Sequence, residues 1–176
     1  MKRRAIWKHA DNGISDSPTE LAIATPNYDM QDREPGLSDD DWAEKYFFDR
    51  TIPRVNPEDP KSKKIKHKIV PHDYVPDDWQ FRDAFTDNGS AVVVDMEKAR
   101  SIHMNRIRKA RDAKLAALDI PFMRAVESGH QTAIEMITEQ KRILRDIPQT
   151  FDIVTGVSTP EQLSEKWPFE LDQNES

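Results

Sequence analysis

Residues 95–148, DMEKARSIHMNRIRKARDAKLAALDIPFMRAVESGHQTAIEMITEQKRILRDIP, decide the fold, because pattern, punctuation and charge agree there on one object. Asp95 stands where a helix cap belongs, and Met96, Ala99, His103, Ile107, Ala110 and Leu118 recur at three- and four-residue steps or their multiples. The outer face of this helix reads as basic. Pro121 removes a backbone donor and clashes with the preceding turn, so it is expected to start a new helix or kink the first one. Phe122, Met123 and Val126 continue the apolar character, and Gly129 ends it. A second helix is expected over about residues 131–146, with Ile134, Ile137 and Leu144 on one stripe and Pro148 as its stop. The short link makes the two helices antiparallel neighbours, a helical hairpin.

Upstream, Ala5 to Lys8 and Leu21 to Ala24 read as short strands flanking Asn12-Gly13, a pair suited to positive φ. Leu37-Ser38-Asp39-Asp40-Asp41-Trp42 is a helix start: Ser38 caps, acids fill the first turn, and Leu37 is placed to staple onto Trp42. Trp42, Ala43, Tyr46 and Phe47 share a face, and that helix is expected to end near Asp49. Pro53, Pro57 and Pro60 then keep the chain extended. Lys64 to Ile69 alternates strictly, which predicts a strand with lysines on one face and Ile65, His67 and Ile69 on the other, at a sheet edge that lysine guards against unwanted pairing. The spacing of Trp79, Phe81, Arg82 and Phe85 leaves strand and helical turn open; Asn88-Gly89 makes a turn before the apolar run Ala91 to Val94. Downstream, Thr159-Pro160-Glu161-Gln162 combines a capping box with proline at the first helical position, Pro168 stops that helix, and residues 169–176 are expected to be loose. The fold class is therefore α+β: N-terminal short strands and a Pro-rich arm, then a C-terminal antiparallel helical hairpin with a small terminal helix. Five regions are expected, at 1–36, 37–63, 64–94, 95–148 and 149–176.

Composition narrows the function classes. Apolar residues make up 36% of the 176 and charged residues 33%, with a mean hydropathy of −0.81, so apolar surface is scarce for a chain of this length. The absence of cysteine removes disulfides, thiolate metal sites and thiol catalysis. No apolar run approaches the roughly 20 residues that span a bilayer, and Met1 to Lys8 lack a secretory stretch, so a soluble, unprocessed chain without membrane insertion is expected. The net charge of −6 hides a division: 8 basic and 13 acidic side chains over residues 1–60, 13 and 8 over 61–118, 5 and 11 over 119–176. A basic middle suggests phosphate contacts, but no binding motif accompanies it, and pairing with acidic neighbours and water explains it as well.

The search for chemistry is mostly negative. His9, His67, His72, His103 and His130 are scattered, and His67 with His72-Asp73 lacks ligand spacing. Asp39-Asp40-Asp41 lacks the alternating oxygens and terminal glutamate of a calcium loop. No nucleophile elbow, phosphate-cradling loop or dinucleotide fingerprint occurs, Asp77-Asp78 reads as solvated surface, and the sequon Asn88-Gly89-Ser90 has a plain alternative in turn chemistry. A non-enzyme is expected, with no catalytic residue, cofactor or metal.

One resemblance adds to this reading. Asp78 to Arg82 with Ala84-Phe85, Val94-Asp95-Met96 with Lys98-Ala99-Arg100, Leu118-Asp119, Met123, Arg142, Leu144-Arg145-Asp146, Pro148, Thr159-Pro160-Glu161 and Trp167-Pro168 follow one another in an order that resembles small proteins encoded among the tail genes of tailed bacteriophages. The likeness covers about residues 75–168. It implies a structural virion protein, made in the host cytoplasm and residing in the tail region, that binds other virion proteins (tail, fibre or neck components) and is oligomeric or embedded in a larger assembly. The alternatives are a tail-fibre assembly chaperone absent from the mature particle and a nucleic-acid binder using Lys61 to Lys68 with Lys98 to Lys114.

Overall fold

The computed structural model describes residues 3–8, 21–25, 36–46 and 67–172. The Asn12-Gly13 turn, Phe47, the proline arm and residues 64–66 of the alternating stretch lie outside these residues. The chain divides into two compact units, Met1–Asp95 and Met96–Ser176. No described helix is long and apolar enough to cross a membrane.

In the first unit a three-stranded antiparallel sheet runs in the order β2-β1-β3, with β1 at Arg3–Lys8, β2 at Leu21–Ala24 and β3 at His67–Pro71. The alternating stretch is thus an edge strand among the described residues. A second antiparallel pair, β4 (Phe85–Asp87) and β5 (Val92–Val94), forms a hairpin. Its turn is built by Asn88, whose Oδ1 accepts the N–H groups of Ser90 and Ala91 at 2.9 Å each, while Gly89 adopts φ +94°. Strand alternation puts Arg3 and Ala5 on one face of β1 and Arg4 and Ile6 on the other. Helix α1 (Asp39–Tyr46) covers the first face: Arg3 Nε meets Asp40 at 2.5 Å, and Trp42 and Ala43 are buried. Ser38 Oγ accepts the Asp41 N–H at 3.1 Å, so the acidic triplet is a capped helix start. On the other face Ile6, Leu21, Val70, Val75, Phe85 and Val92 make the core of this unit. Lys68 shares that face with Val70, so the expected solvated lysine face is in part covered by the β4–β5 hairpin. The Trp79–Phe85 segment resolves into a 3-10 turn at Arg82–Ala84 that leads into β4.

The second unit opens with α2 (Met96–Ala117), which is followed after Leu118 by α3 (Asp119–Glu127), so the two form one long bent helix. Leu118 stays in the helical region at φ −80° and ψ −10°, and its N–H reaches the carbonyls of both Lys114 and Leu115. Pro121 falls in the first turn of α3, where its missing N–H costs nothing. The Gly129 N–H bonds the Val126 carbonyl, the His130 N–H bonds that of Ala125, and Gly129 takes φ +65°, the paired bonds of a Schellman stop.

Helix α4 (Gln131–Thr150) returns along α2 and α3. It passes through Pro148 instead of stopping there. Only the Leu144 carbonyl loses a partner, one turn from the end, and the Phe151 N–H still bonds the Ile147 carbonyl. Ile147, not Ile137, completes the buried stripe with Leu144. Helix α5 (Pro160–Glu165) carries the reciprocal capping box of Thr159 and Gln162. A last turn, α6 (Phe169–Asp172), corrects the loose tail expected from residue 169: Leu171 is buried against Ile107, Leu144 and Ile147. The sequence alone hid it, because four residues are too few to show a period.

Ile107→Ala and Leu144→Ala are each expected to destabilise the chain by about 2–4 kcal/mol in urea unfolding followed by helix circular dichroism, whereas Met136→Ala, at an exposed position, is expected to change stability by less than about 0.5 kcal/mol.

Candidate functional site

Two polar clusters organise the first unit. Arg4 lies on the central strand β1 and is only 5% exposed. Its Nη2 donates to His72 Nε2 at 2.7 Å and stands 3.6 Å from Asp77 Oδ1, its Nη1 donates to the Val75 carbonyl at 3.4 Å, and its guanidinium carbon lies 5.8 Å from the centre of the Trp79 ring. Burial lowers the Arg4 pKa, and Asp77 offsets part of that. Arginine has no acceptor, so in this contact the His72 ring nitrogen accepts. In the second cluster Lys68 Nζ donates to the Tyr74 hydroxyl at 2.5 Å, Tyr74 donates to Asp87 Oδ1 at 2.7 Å, and Lys68 also reaches the Gly89 carbonyl at 3.3 Å. The Tyr74 hydroxyl raises the lysine pKa. Both clusters tie strands to loops and hold their charged groups against fixed acceptors.

The second unit uses its cations in the same way. Arg100 donates to the Val157 carbonyl at 2.9 Å, Lys114 to that of Glu170 at 3.0 Å, and Lys166 to those of Thr155 and Asp152 at 2.9 and 3.3 Å. The bonds to Asp152, Thr155 and Val157 satisfy irregular backbone between α4 and α5, which has no ladder of its own, and the bond to Glu170 ties α2 to α6. His103, 2% exposed, places Nε2 2.6 Å from the Lys166 carbonyl and sets its ring edge-on to Trp167. The expected basic outer face is therefore thinner than its composition: on α2 only Arg108 and Lys109 among the cations are exposed. The partners of Arg100 and Lys114 are carbonyls more than fifty residues away, which composition cannot reveal.

The other candidate residues are placed apart from one another. His67 Nε2 lies 2.9 Å from Glu44, His130 Nδ1 accepts the Ala133 N–H at 3.3 Å as the cap of α4, and His9 lies outside the described residues. Asp78 accepts the Gln80 N–H, a turn role. Among the described residues no three His, Asp or Glu side chains are grouped as metal ligands. What remains open to a ligand is apolar. Ile120, Met123 and Val126 of α3, Met136 and Ile143 of α4, and Val154 and Phe169 are exposed, and a groove of about 310 Å³ beside α4 is lined by Ile143, Ile147, Phe151 and Pro168 among charged Arg142, Asp146 and Glu170.

Asp152 supplies a pH test of the irregular segment. The Thr155 side chain, then the Val154 and Thr155 N–H groups, with Lys166 nearby, hold its carboxyl down to about 2. A depressed carboxylate stabilises the fold above its unfolded value, and that contribution is lost as pH falls through about 2. Asp152→Ala is expected to melt below the parent chain at neutral pH, with the difference closing between about pH 4 and pH 2 in thermal melts.

Comparison with protein families, with curated proteins and with solved structures finds no match to this chain.

Proposed function

We propose that the chain is a non-enzymatic structural protein of a tailed-bacteriophage virion, a tail- or tail-fibre-associated adaptor that works through protein–protein contacts. One observation carries the reading. Arg100, Lys114 and Lys166 of the second unit are spent on its own backbone, while α3 and α4 leave large apolar side chains in water. A chain short of apolar residues exposes them where another surface covers them. The ordered likeness of about residues 75–168 to phage tail-region proteins supplies the setting: synthesis in the host cytoplasm, then residence in the tail region among tail, fibre or neck proteins. The nucleic-acid reading draws little support from α2, where Arg100 and Lys114 already bind carbonyls.

Quantitative mass spectrometry of purified particles is the test. A fixed copy number per particle is the expected result. Near absence, with co-expression raising fibre solubility, would replace the adaptor with an assembly chaperone, and duplex DNA affinity that falls steeply with salt would replace it with a nucleic-acid binder.

A further inference from the structure

The face of α2 and α3 opposite their buried stripe carries a second pattern. Lys109, Ala113, Ala116, Ile120, Met123 and Glu127 follow one another in steps of four, three, four, three and four, the spacing of a two-helix seam. All six are exposed, Ile120 by 63% and Met123 by 56%. The stripe packed inward uses other positions, His103, Ile107 and Ala125, so burial within the chain explains none of this spacing. The helical conformation of Leu118 carries the register through the bend.

The seam is complementary to its own reverse. About Leu118 as centre, Ala116 and Ile120 are each two residues away, Ala113 and Met123 five, and Lys109 and Glu127 nine. If the same helix is laid antiparallel across a two-fold axis level with Leu118, each alanine of the seam faces Ile120 or Met123 of the other copy, and Lys109 faces Glu127. Lys109 and Glu127 have no ion-pair partner among the described residues. We infer that this seam is an isologous interface, and that its occupant is α2 and α3 of a second copy of this chain.

The contact spans 19 residues, roughly 28 Å of helix. With four apolar side chains from each copy it lies at the small end of specific interfaces, so the dimer forms and dissociates with concentration. The inference stands on spacing, exposure and charge, and does not rest on the virion reading.

Sedimentation equilibrium of the full chain over a range of concentrations tests it. A reversible monomer–dimer equilibrium is expected. Lys109→Glu alone and Glu127→Lys alone are each expected to weaken the dimer about tenfold, because two ion pairs across the axis become two repulsions. An equimolar mixture of the two variants is expected to recover association as a heterodimer, since each copy then offers charges of one sign to the other's opposite sign. Circular dichroism identical to that of the parent chain confirms that these surface variants fold. A chain monomeric throughout the range overturns the inference, as does a dimer that both variants leave unchanged or that mixing fails to restore. If Ile143→Asp dissociates the dimer while the charge variants do not, the groove beside α4 is the contact and the seam is not.

Discussion

Burial of Ile107 between the two long helices is the contact on which the rest of the second unit depends. It is fully enclosed with Leu144, Ile147 and Leu171, and Met104, Leu115, Leu118 and Phe151 pack around that centre. With apolar residues so scarce, few other side chains among the described residues of this unit are buried: Ala99, His103, Ala125, Val157, Leu163 and Pro168. Each helix therefore keeps one narrow buried stripe, and the segment from Phe151 to Pro168 is held by donated hydrogen bonds as much as by packing. Such bonds contribute about 1 kcal/mol each when made and cost more when a buried partner is left alone. Lysine and arginine suit this role because a long apolar stem lies along the helix while the charged end reaches a carbonyl.

The first unit meets the same shortage with thinner means. Its sheet has three described strands, and the face away from α1 is closed by a three-residue-per-strand hairpin. Arg4 stands at the junction, where its position on the central strand forces a guanidinium out of water. His72, Val75 and Asp77 answer that cost from a single loop. The polar clusters of this protein are thus accounted for by folding, and its exposed apolar side chains are the feature that folding leaves over.

The long helices were legible because a 3.6-residue period repeats many times and Gly129 and Thr159 punctuate it. Their limits were less so. Pro148 reads as a stop, yet a single proline near a helix end removes one bond while Ile147 beside it gains a full complement of contacts, and packing wins. The role of Arg4 was hidden, since an Arg-Arg pair near a terminus looks solvated until the strand it sits on is known to be central. The cations of α2 misled for a related reason: a charge states its sign in sequence, but its partner is a matter of tertiary structure. The outward seam has the same period in sequence as the inward stripe of the same helix, and only the exposure of its side chains sets the two apart.

A surface built for association and a core built around one buried isoleucine make different demands on the same helix, and peptide-resolved amide hydrogen exchange on the intact chain separates them. Protection around Ile107 and Leu144 is expected to be the highest of the second unit and the same at every protein concentration, while residues 109–127 gain protection as concentration rises. Protection that is lower around Ile107 than over residues 119–127, or that never responds to concentration along the seam, would contradict this division between an inner stripe that folds the unit and an outer one that joins it to a partner.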